Sequence, residues 1–180
     1  MAQPLLAPVR ATGTRRPSVT RPDAPRVEVA TDVPRRGVVE FLLDADALDA
    51  TSVALAAARA DVVRIVHSAA LPTVAAVGAL VSVLEDEVRA VGRDRHEVRL
   101  VLEVEAVVAA DEADATRRRT AIAYAEAFAG LTWAPSSTWL VAPLDRIAAD
   151  AAALAARTGV DTVALALVGA SRRHAAVLGA

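Results

Sequence analysis

Two glutamates lie two residues apart within an apolar run near the middle of the 180-residue sequence. Val and Leu dominate residues 97–110, and so short a run rich in β-branched residues indicates a buried strand. Because side chains alternate along a strand, Glu103 and Glu105 share one face, with Cβ atoms about 6 to 7 Å apart. That spacing could hold a general acid and a general base. The alternative is a polar interior or an assembly surface on which they pair with Arg64 or Arg99.

A histidine follows another predicted strand, at residues 61–66. His67 and its neighbour Ser68 lie at the carboxyl end of that strand, where parallel α/β proteins place their ligands. His67 is therefore a candidate catalytic base, and the alternative is a loop residue, because no partner carboxylate can be identified from the sequence. The three histidines show no ligand spacing and the chain has no cysteine, so no metal site is predicted.

Small and cationic residues follow the last predicted strand. Gly169, Ser171, Arg172 and Arg173 offer backbone N–H groups, a hydroxyl and two guanidinium groups, which suit a phosphate or another anion. The same sequence is also typical of an ordinary helix start. We treat these four residues as a candidate cofactor-binding group.

Four strands alternate with four helices in the predicted order of elements. The strands are expected at residues 38–43, 61–66, 98–108 and 162–168, and the helices at 48–60, 72–91, 112–129 and 143–158. This alternation predicts an α/β fold with a parallel sheet and right-handed crossovers, which half of a closed barrel and an open doubly wound sheet satisfy equally well. In the third helix, the stripe formed by Ala113, Ala121, Tyr124 and Phe128 is expected to face inward.

The remaining segments are less regular. Residues 1–25 are rich in Pro and Arg without periodicity and predict an extended arm, followed by one domain over residues 26–180. A short edge strand is expected at residues 26–30 and a turn at 34–37. Residues 131–139 predict an irregular loop whose two tryptophans cover the core or, alternatively, form a lid or a wall of a ligand site.

Composition excludes several classes of function. A formal net charge of −2 and a pI near 5.9 give no field that attracts nucleic acid or an anionic membrane. The uncharged run at residues 68–84 is shorter than the roughly 20 apolar residues that span a bilayer. No secretory or twin-arginine signal is visible, so the sequence predicts a cytoplasmic protein.

Four motifs, in the same order and spacing, resemble the bacterial luciferase-like, flavin-dependent monooxygenase family. They are Ala-Arg-Ala-Asp-Val-Val at residues 58–63, Ala-Val-Gly-Arg-Asp at 90–94, Leu-Glu-Val-Glu-Ala-Val-Val-Ala-Ala-Asp-Glu-Ala at 102–113 and Ala-Arg-Thr-Gly-Val-Asp-Thr-Val at 156–163. The resemblance covers roughly residues 38–168 and matches only the C-terminal half of that family's eight-stranded TIM barrel. It implies a partial, half TIM barrel. It also implies a site for FMN or deazaflavin F420 at the carboxyl ends of the strands.

Two departures from the family's pattern bear on cofactor binding. Where members resembling this chain have a Gly- and Ser-containing turn that receives phosphate, Asp44 and Asp46 place two carboxylates. Where the family has Gly-Thr-Pro before its penultimate helix, residues 141–143 keep only the proline. We therefore expect the isolated chain to bind FMN weakly or not at all.

Two functions from different classes fit these observations. The resemblance implies part of a flavin-dependent monooxygenase or oxidoreductase whose cofactor site is completed by another chain. The alternative is a non-catalytic half barrel that has lost flavin binding and serves as a structural or interaction subunit. A natural gene product longer than this sequence is a third possibility. Half of a barrel has two exposed edges, so we expect a homodimer or a complex with a separately encoded N-terminal half barrel.

Overall fold

The computed structural model describes residues 24–31, 36–130 and 135–179. The strands there are β1 (Arg26–Val29), β2 (Glu40–Leu43), β3 (Val62–Val66), β4 (Arg99–Ala109), β5 (Leu140–Pro143) and β6 (Thr162–Leu167). The helices are α1 (Ala50–Arg59), α2 (Val74–Ala90), α3 (Glu112–Ala129), α4 (Leu144–Thr158) and α5 (Ala175–Leu178). Three 3-10 helices cover Arg95–Glu97, Pro135–Thr138 and Gly169–His174. The predicted arm lies outside the described residues except for positions 24 and 25, as does the first half of the predicted turn at 34–37.

All six strands form one parallel sheet. Its order is β1-β6-β4-β3-β2, with β5 also paired to β4. This confirms the α/β prediction and the four main strands, which are β2, β3, β4 and β6, with helices between them. The expected edge strand is β1. The strand β5 was missed because it is only four residues long and ends in Pro143, which the sequence analysis assigned to the start of a helix.

The short strand β5 continues the line of β3 along one side of β4. Ala106 of β4 is partnered by Leu167 of β6 and also by Leu140 of β5, so β5 and β6 must lie on opposite sides of β4. The side opposite β6 is the one that β3 occupies, up to Val66 beside Glu103. A gap in the strand pairing therefore opens between the end of β3 and the start of β5.

One face of the sheet carries the main hydrophobic core. Every second residue of β4 from Leu100 to Val108 is buried there against apolar side chains of α1, α2 and α4. Burial of this apolar surface is the main source of stability. The other face is named here the open face and is defined by Glu40, Arg64, Glu103, Glu105 and Ala166.

The open face is covered at its amino-terminal end, and α3 and β5 cover the far end of β4. Val62, Val101 and Ala164 are almost fully buried at the amino-terminal end, and the partly buried side chains of Ala30 and Val38 pack against them. The two segments that follow β1 and precede β2 therefore close the lower part of this face. Its charged upper part lies toward the carboxyl ends of the strands.

Two buried aspartates join the strands at their amino-terminal ends. The Asp61 side chain accepts a hydrogen bond from Val39 N–H at 2.8 Å, and its backbone bonds to the Val39 carbonyl and receives Arg99 N–H. Asp161 repeats this arrangement with Leu100, whose N–H lies 2.8 Å from the carboxylate, and its carbonyl receives the N–H of the first residue of β1. Each aspartate thus holds three strands in register, which gives the Ala-Asp-Val and Val-Asp-Thr motifs a structural role.

Side-chain caps fix where the helices begin. The carboxylates of Asp49 and Asp111 and the hydroxyl of Thr73 accept backbone N–H groups at the starts of α1, α3 and α2. Gly130 and Gly159 end α3 and α4 in the left-handed conformation that favours glycine. These caps place the helix starts close to the carboxyl ends of the strands.

The orientation predicted for α3 is wrong. Tyr124 and Phe128, expected to face inward, are 70% and 95% exposed, and Ala113 and Ala121 are also exposed. The opposite stripe faces the protein, where Ala115 is buried and Ile122 packs on Val107, Val141 and Trp139. Polar contacts fix this choice, because Arg119 donates to the Val141 carbonyl at 2.7 Å and Glu126 accepts from Ser136.

Candidate functional site

Charged side chains of three neighbouring strands meet on the open face. The guanidinium group of Arg64 on β3 lies 2.6 Å from Glu40 on β2 and 2.9 Å from Glu103 on β4. The predicted pairing of a glutamate with Arg64 is confirmed. Because the Glu103 carboxylate accepts this hydrogen bond from Arg64, it is held in place rather than free to move toward a ligand.

Glu105 has a different environment, although it shares a face with Glu103. Partial burial raises the pKa of the Glu105 carboxyl group above its usual value of 4.5, the hydrogen bond from the Trp139 side chain lowers it, and the charge of Glu103 raises it again, with a net increase. Of the two carboxyl groups, Glu105 is therefore the one better suited to hold a proton.

The pKa of Glu105 provides a first prediction. Replacing Glu103 with Gln should lower the pKa of Glu105 by removing a neighbouring negative charge, and Trp139→Phe should raise it by removing a hydrogen bond to the ionised form. The measurement is a ¹³C NMR titration of the Glu105 carboxyl carbon, with the exposed Glu112→Gln as control. Equal midpoints in all variants would contradict the described contacts. Because the folded-state pKa is raised, the stability that Glu105 contributes is present below pH 4.5 and is lost as the pH rises through that pKa.

A groove of about 510 Å³ lies above the two glutamates. Glu103, Glu105 and Ala166 form its floor, and Arg172 reaches it from the 3-10 helix that follows β6. The Arg172 guanidinium also donates to the Leu167 carbonyl at 3.3 Å. The groove thus combines two carboxylates with one cation at the carboxyl ends of β4 and β6.

His67 lies in a separate groove, at the gap between β3 and β5. Its Nδ1 is 3.0 Å from the Leu71 carbonyl oxygen, so Nδ1 carries the proton in the neutral ring. Burial lowers the pKa of His67, although the bond to Leu71 opposes this change, and the ring is therefore neutral near pH 7. Its Nε2 is buried and, within the described residues, has no hydrogen-bond partner. This groove has a volume of about 370 Å³ and is also lined by Arg119, Trp139 and Arg157.

The structure does not bring His67 into one cavity with Glu103 and Glu105. Trp139 lies between the two grooves, since it lines the His67 groove and also donates to Glu105. A joint acid and base pair of His67 with either glutamate is therefore not formed in this arrangement. Trp139 was expected to cover the core or to form part of a lid, and the spacing of residues in the sequence does not predict its contact with Glu105.

The four candidate anion-binding residues face two directions. Arg172 faces the glutamate groove, whereas Gly169, Ser171 and Arg173 line a different cavity of about 310 Å³. The Ser171 hydroxyl is 4% exposed and accepts Val108 N–H at 2.9 Å, which gives it a structural role. Arg118 of α3 also lines this cavity and adds a second cation beside Arg173. The sequence also offers Arg118, within the run of three arginines at 117–119, as a residue that could touch an anion, although such a run is usually a solvated helix face.

The turn after β2 is already occupied by a side chain of the chain itself. The Asp44 carboxylate accepts the N–H groups of Asp46 and Ala47 at 3.1 and 3.0 Å. The next N–H groups, at the start of α1, are bound by Asp49. The backbone N–H groups that could bind a phosphate at this strand end therefore already donate to the carboxylates of the chain itself. These carboxylates would also repel a phosphate.

The described residues contain neither a group of metal-ligating side chains nor a helix that could span a membrane. No group of three or more metal-ligating side chains is close enough there to hold an ion. None of the helices in residues 24–31, 36–130 and 135–179 is both long and apolar enough to cross a bilayer.

The parallel β/α order and the grooves at the carboxyl ends of the strands define part of a β/α barrel. No family model matches the chain, and no curated protein matches it. Among solved structures, it is similar to a riboflavin lyase with modified FMN and riboflavin, at 11% identity and a TM-score of 0.56 over 76% of this chain. It is also similar to an F420-dependent secondary alcohol dehydrogenase, at 11% identity and 0.53 over 77%, and to flavoprotein 390, at 17% and 0.52 over 77%.

These similarities concern the fold. The chain spans 40%, 45% and 62% of the lengths of those three structures, so it corresponds to only part of each. They agree with the partial barrel that the sequence motifs predicted.

Proposed function

We propose that this chain is one component of a luciferase-like oxidoreductase that uses FMN or F420, with the cofactor site completed by a second polypeptide. The observation that carries the proposal is the open face, where Glu103 and Glu105 lie level with or beyond the carboxyl end of the neighbouring strand β3 and line a groove. Arg64 joins Glu103 to Glu40 on this face of the incomplete parallel barrel. Charged side chains at the carboxyl ends of barrel strands are typical of ligand sites. A bound flavin or deazaflavin would supply the redox chemistry.

The residues present fit a cofactor phosphate at one strand end and not at another. The turn after β2 does not fit, because Asp44 binds its N–H groups. The 3-10 helix after β6 does fit, because Arg173 and Arg118 line one cavity beside Gly169, whose N–H belongs to a first helical turn. We therefore place a phosphate at Gly169, Arg118 and Arg173, with Arg172 directed toward the glutamate groove.

The protein groups would divide the remaining tasks. Glu105, with its raised pKa, is the candidate for holding a proton near the substrate, and Glu103 keeps Arg64 in place. His67, neutral and with a buried Nε2, is a candidate base in the neighbouring groove. These are proposed catalytic roles, and a cytoplasmic location remains part of the same proposal.

A specific observation favours the alternative function. Asp44 accepts the backbone N–H groups of the turn in which a phosphate would bind. This arrangement suits a half barrel that binds no cofactor. In that case the open face serves only to bind another chain, either a second copy or a separately encoded half barrel.

Cofactor titration provides the second prediction. We expect the isolated chain to show no saturation of flavin fluorescence at micromolar FMN, because half of the barrel and the usual phosphate turn are missing. Riboflavin, which has no phosphate, is the control ligand. A tight complex of one FMN per chain would contradict the need for a second polypeptide.

The proposal itself is tested by adding the second polypeptide. The products of coding sequences adjacent to this one are mixed with the chain, and FMN and F420 binding is measured. A mixture that binds either cofactor stoichiometrically supports the oxidoreductase, and Arg173→Ala should then weaken binding about tenfold or more by removing a charge-assisted hydrogen bond. Arg89→Ala, in an exposed pair on α2, is the matched control. Failure of every mixture to bind either cofactor favours the non-catalytic subunit.

A further inference from the structure

Helix α3 exposes its more apolar stripe. Arg117, Ala121, Tyr124 and Phe128 recur at intervals of four, three and four residues and lie on one side of the helix, opposite the stripe that contacts the protein. Phe128 is 95% exposed and Tyr124 is 70% exposed. Ala115 is the one buried residue among those that α3 contributes. The helix is therefore held to the protein by a narrow contact.

Two exposed aromatic rings on one stripe differ from the scattered apolar residues of an ordinary surface. The other large apolar side chains that the structure exposes, such as Leu55 on α1 and Val83 on α2, are 44% and 49% exposed and lie on different helices. Single residues of that kind need no partner. The rings of Tyr124 and Phe128 have the spacing of a coiled-coil seam, and Ala121 lies between them and Arg117. Such a stripe is suited to packing against another helix.

We propose that the stripe formed by Arg117, Ala121, Tyr124 and Phe128 binds the same stripe of a second copy of this chain, with the two α3 helices antiparallel around a two-fold axis. The axis passes between residues 122 and 123. Positions 117 and 128 lie at equal distances from that point, and so do positions 121 and 124. Each contact is then made twice, as in every isologous interface.

The antiparallel arrangement is complementary in size and charge. Tyr124 faces the small Ala121 of the second copy, which leaves room for the ring. Arg117, whose side chain is 69% exposed, faces Phe128 of the second copy, where a guanidinium group is attracted to the ring face. A parallel arrangement would instead place Arg117 beside Arg117 and Phe128 beside Phe128, with like charges together. The charges therefore favour the antiparallel pair.

This interface is distinct from the open face and does not depend on the proposed cofactor. The stripe lies on the solvent side of α3, whereas the open face is formed by β2, β3, β4 and β6. A chain could pair through α3 and still bind a second polypeptide on the open face. Cofactor binding by the mixtures described above should therefore be unchanged by substitutions of Tyr124 and Phe128, which do not line the cavity of Arg118 and Arg173.

Sedimentation equilibrium over a wide concentration range tests the pairing. We expect the wild-type chain to form a dimer that dissociates to a species of 18.6 kDa. The double variant Tyr124→Glu and Phe128→Glu should remain monomeric with an unchanged circular dichroism spectrum, because both side chains are exposed. Leu55→Glu, the matched control on α1, should dimerise like the wild type. A wild type that is monomeric throughout, or a dimer that the double variant leaves intact, overturns the proposal.

Spin labels test the direction of the helices. The chain has no cysteine, so single labels at Ala113→Cys and Ala125→Cys are specific. With a rise of 1.5 Å per residue, the antiparallel pair predicts an offset along the helix axes of about 28 Å between the two 113 positions and about 8 Å between the two 125 positions. The separation of the two helices, about 8 to 10 Å, and the length of the labels add to both distances. Similar short distances for both labels would indicate a parallel pair and overturn the stated geometry.

Discussion

Replacing Asp161 with alanine is expected to lower the free energy of unfolding by about 3 to 5 kcal/mol. The Asp161 carboxylate is fully buried, accepts Leu100 N–H at 2.8 Å and lies 3.0 Å from the guanidinium group of Arg95. Alanine would leave a buried N–H without its acceptor and would remove the anion that faces Arg95 in the core. It would also weaken the junction of β1, β4 and β6.

Two variants serve as controls for Asp161→Ala in urea denaturation. Asp161→Asn keeps an oxygen for Leu100 N–H but loses the charge, so a smaller decrease is expected. Asp86→Ala removes a carboxylate that is 76% exposed, and its effect should stay within about 0.5 kcal/mol. If Asp161→Ala changed stability as little as Asp86→Ala, the aspartate would not hold the strands together as described.

The second large effect is expected for Leu102→Ala, which should lower the free energy of unfolding by about 2 to 5 kcal/mol. Leu102 is 0% exposed at the centre of β4, where the helices pack on the sheet, and truncation would leave a cavity in a close-packed region. Leu42→Ala on β2 is the matched control, because the same side chain is 49% exposed there and faces the other side of the sheet. The control should cost less than about 1 kcal/mol.

Equal losses for the two leucines would mean that something covers the open face in solution. The pair of variants therefore tests which side of the sheet is the core, independently of any ligand. The measurement is again the free energy of unfolding in urea, at a protein concentration low enough to dissociate dimers.

The sequence predicted the main strands because their apolar residues alternate or run continuously, and the bounds of α3 because Asp111 and Gly130 cap it. It could not predict how α3 is oriented, since the more apolar stripe of this helix is the exposed one and the stripe that faces the protein carries Arg119 and Glu126. The choice depends on contacts of Arg119 and Glu126 with residues far along the chain. Such long-range contacts produce no periodic pattern of residues from which they could be predicted.

The candidate site was predictable to a similar degree. Alternation along β4 placed Glu103 and Glu105 on one face and gave Arg64 as a partner, which the structure confirms. The difference between the two glutamates depends on Trp139, which lies more than thirty positions further along the chain, directly before β5. The sequence could not show that the Asp44 carboxylate binds the N–H groups of its own turn, because a carboxylate beside a turn can also point to solvent.

The pairing of β1 with β6 has a consequence for synthesis on the ribosome. The strand β1 leaves the ribosome before the other strands described here, and its partner β6, which begins at Thr162, is the last of these strands to appear. Until then β1 has no hydrogen-bonding neighbour, and the sheet must assemble from β2 to β4 without it. Folding that waits for contacts so distant in the chain is slow, and the nascent β1 is exposed to chaperones or to other chains for most of translation. A nascent chain stalled before residue 162 should therefore leave Arg26–Val29 sensitive to proteases, whereas the released protein protects it.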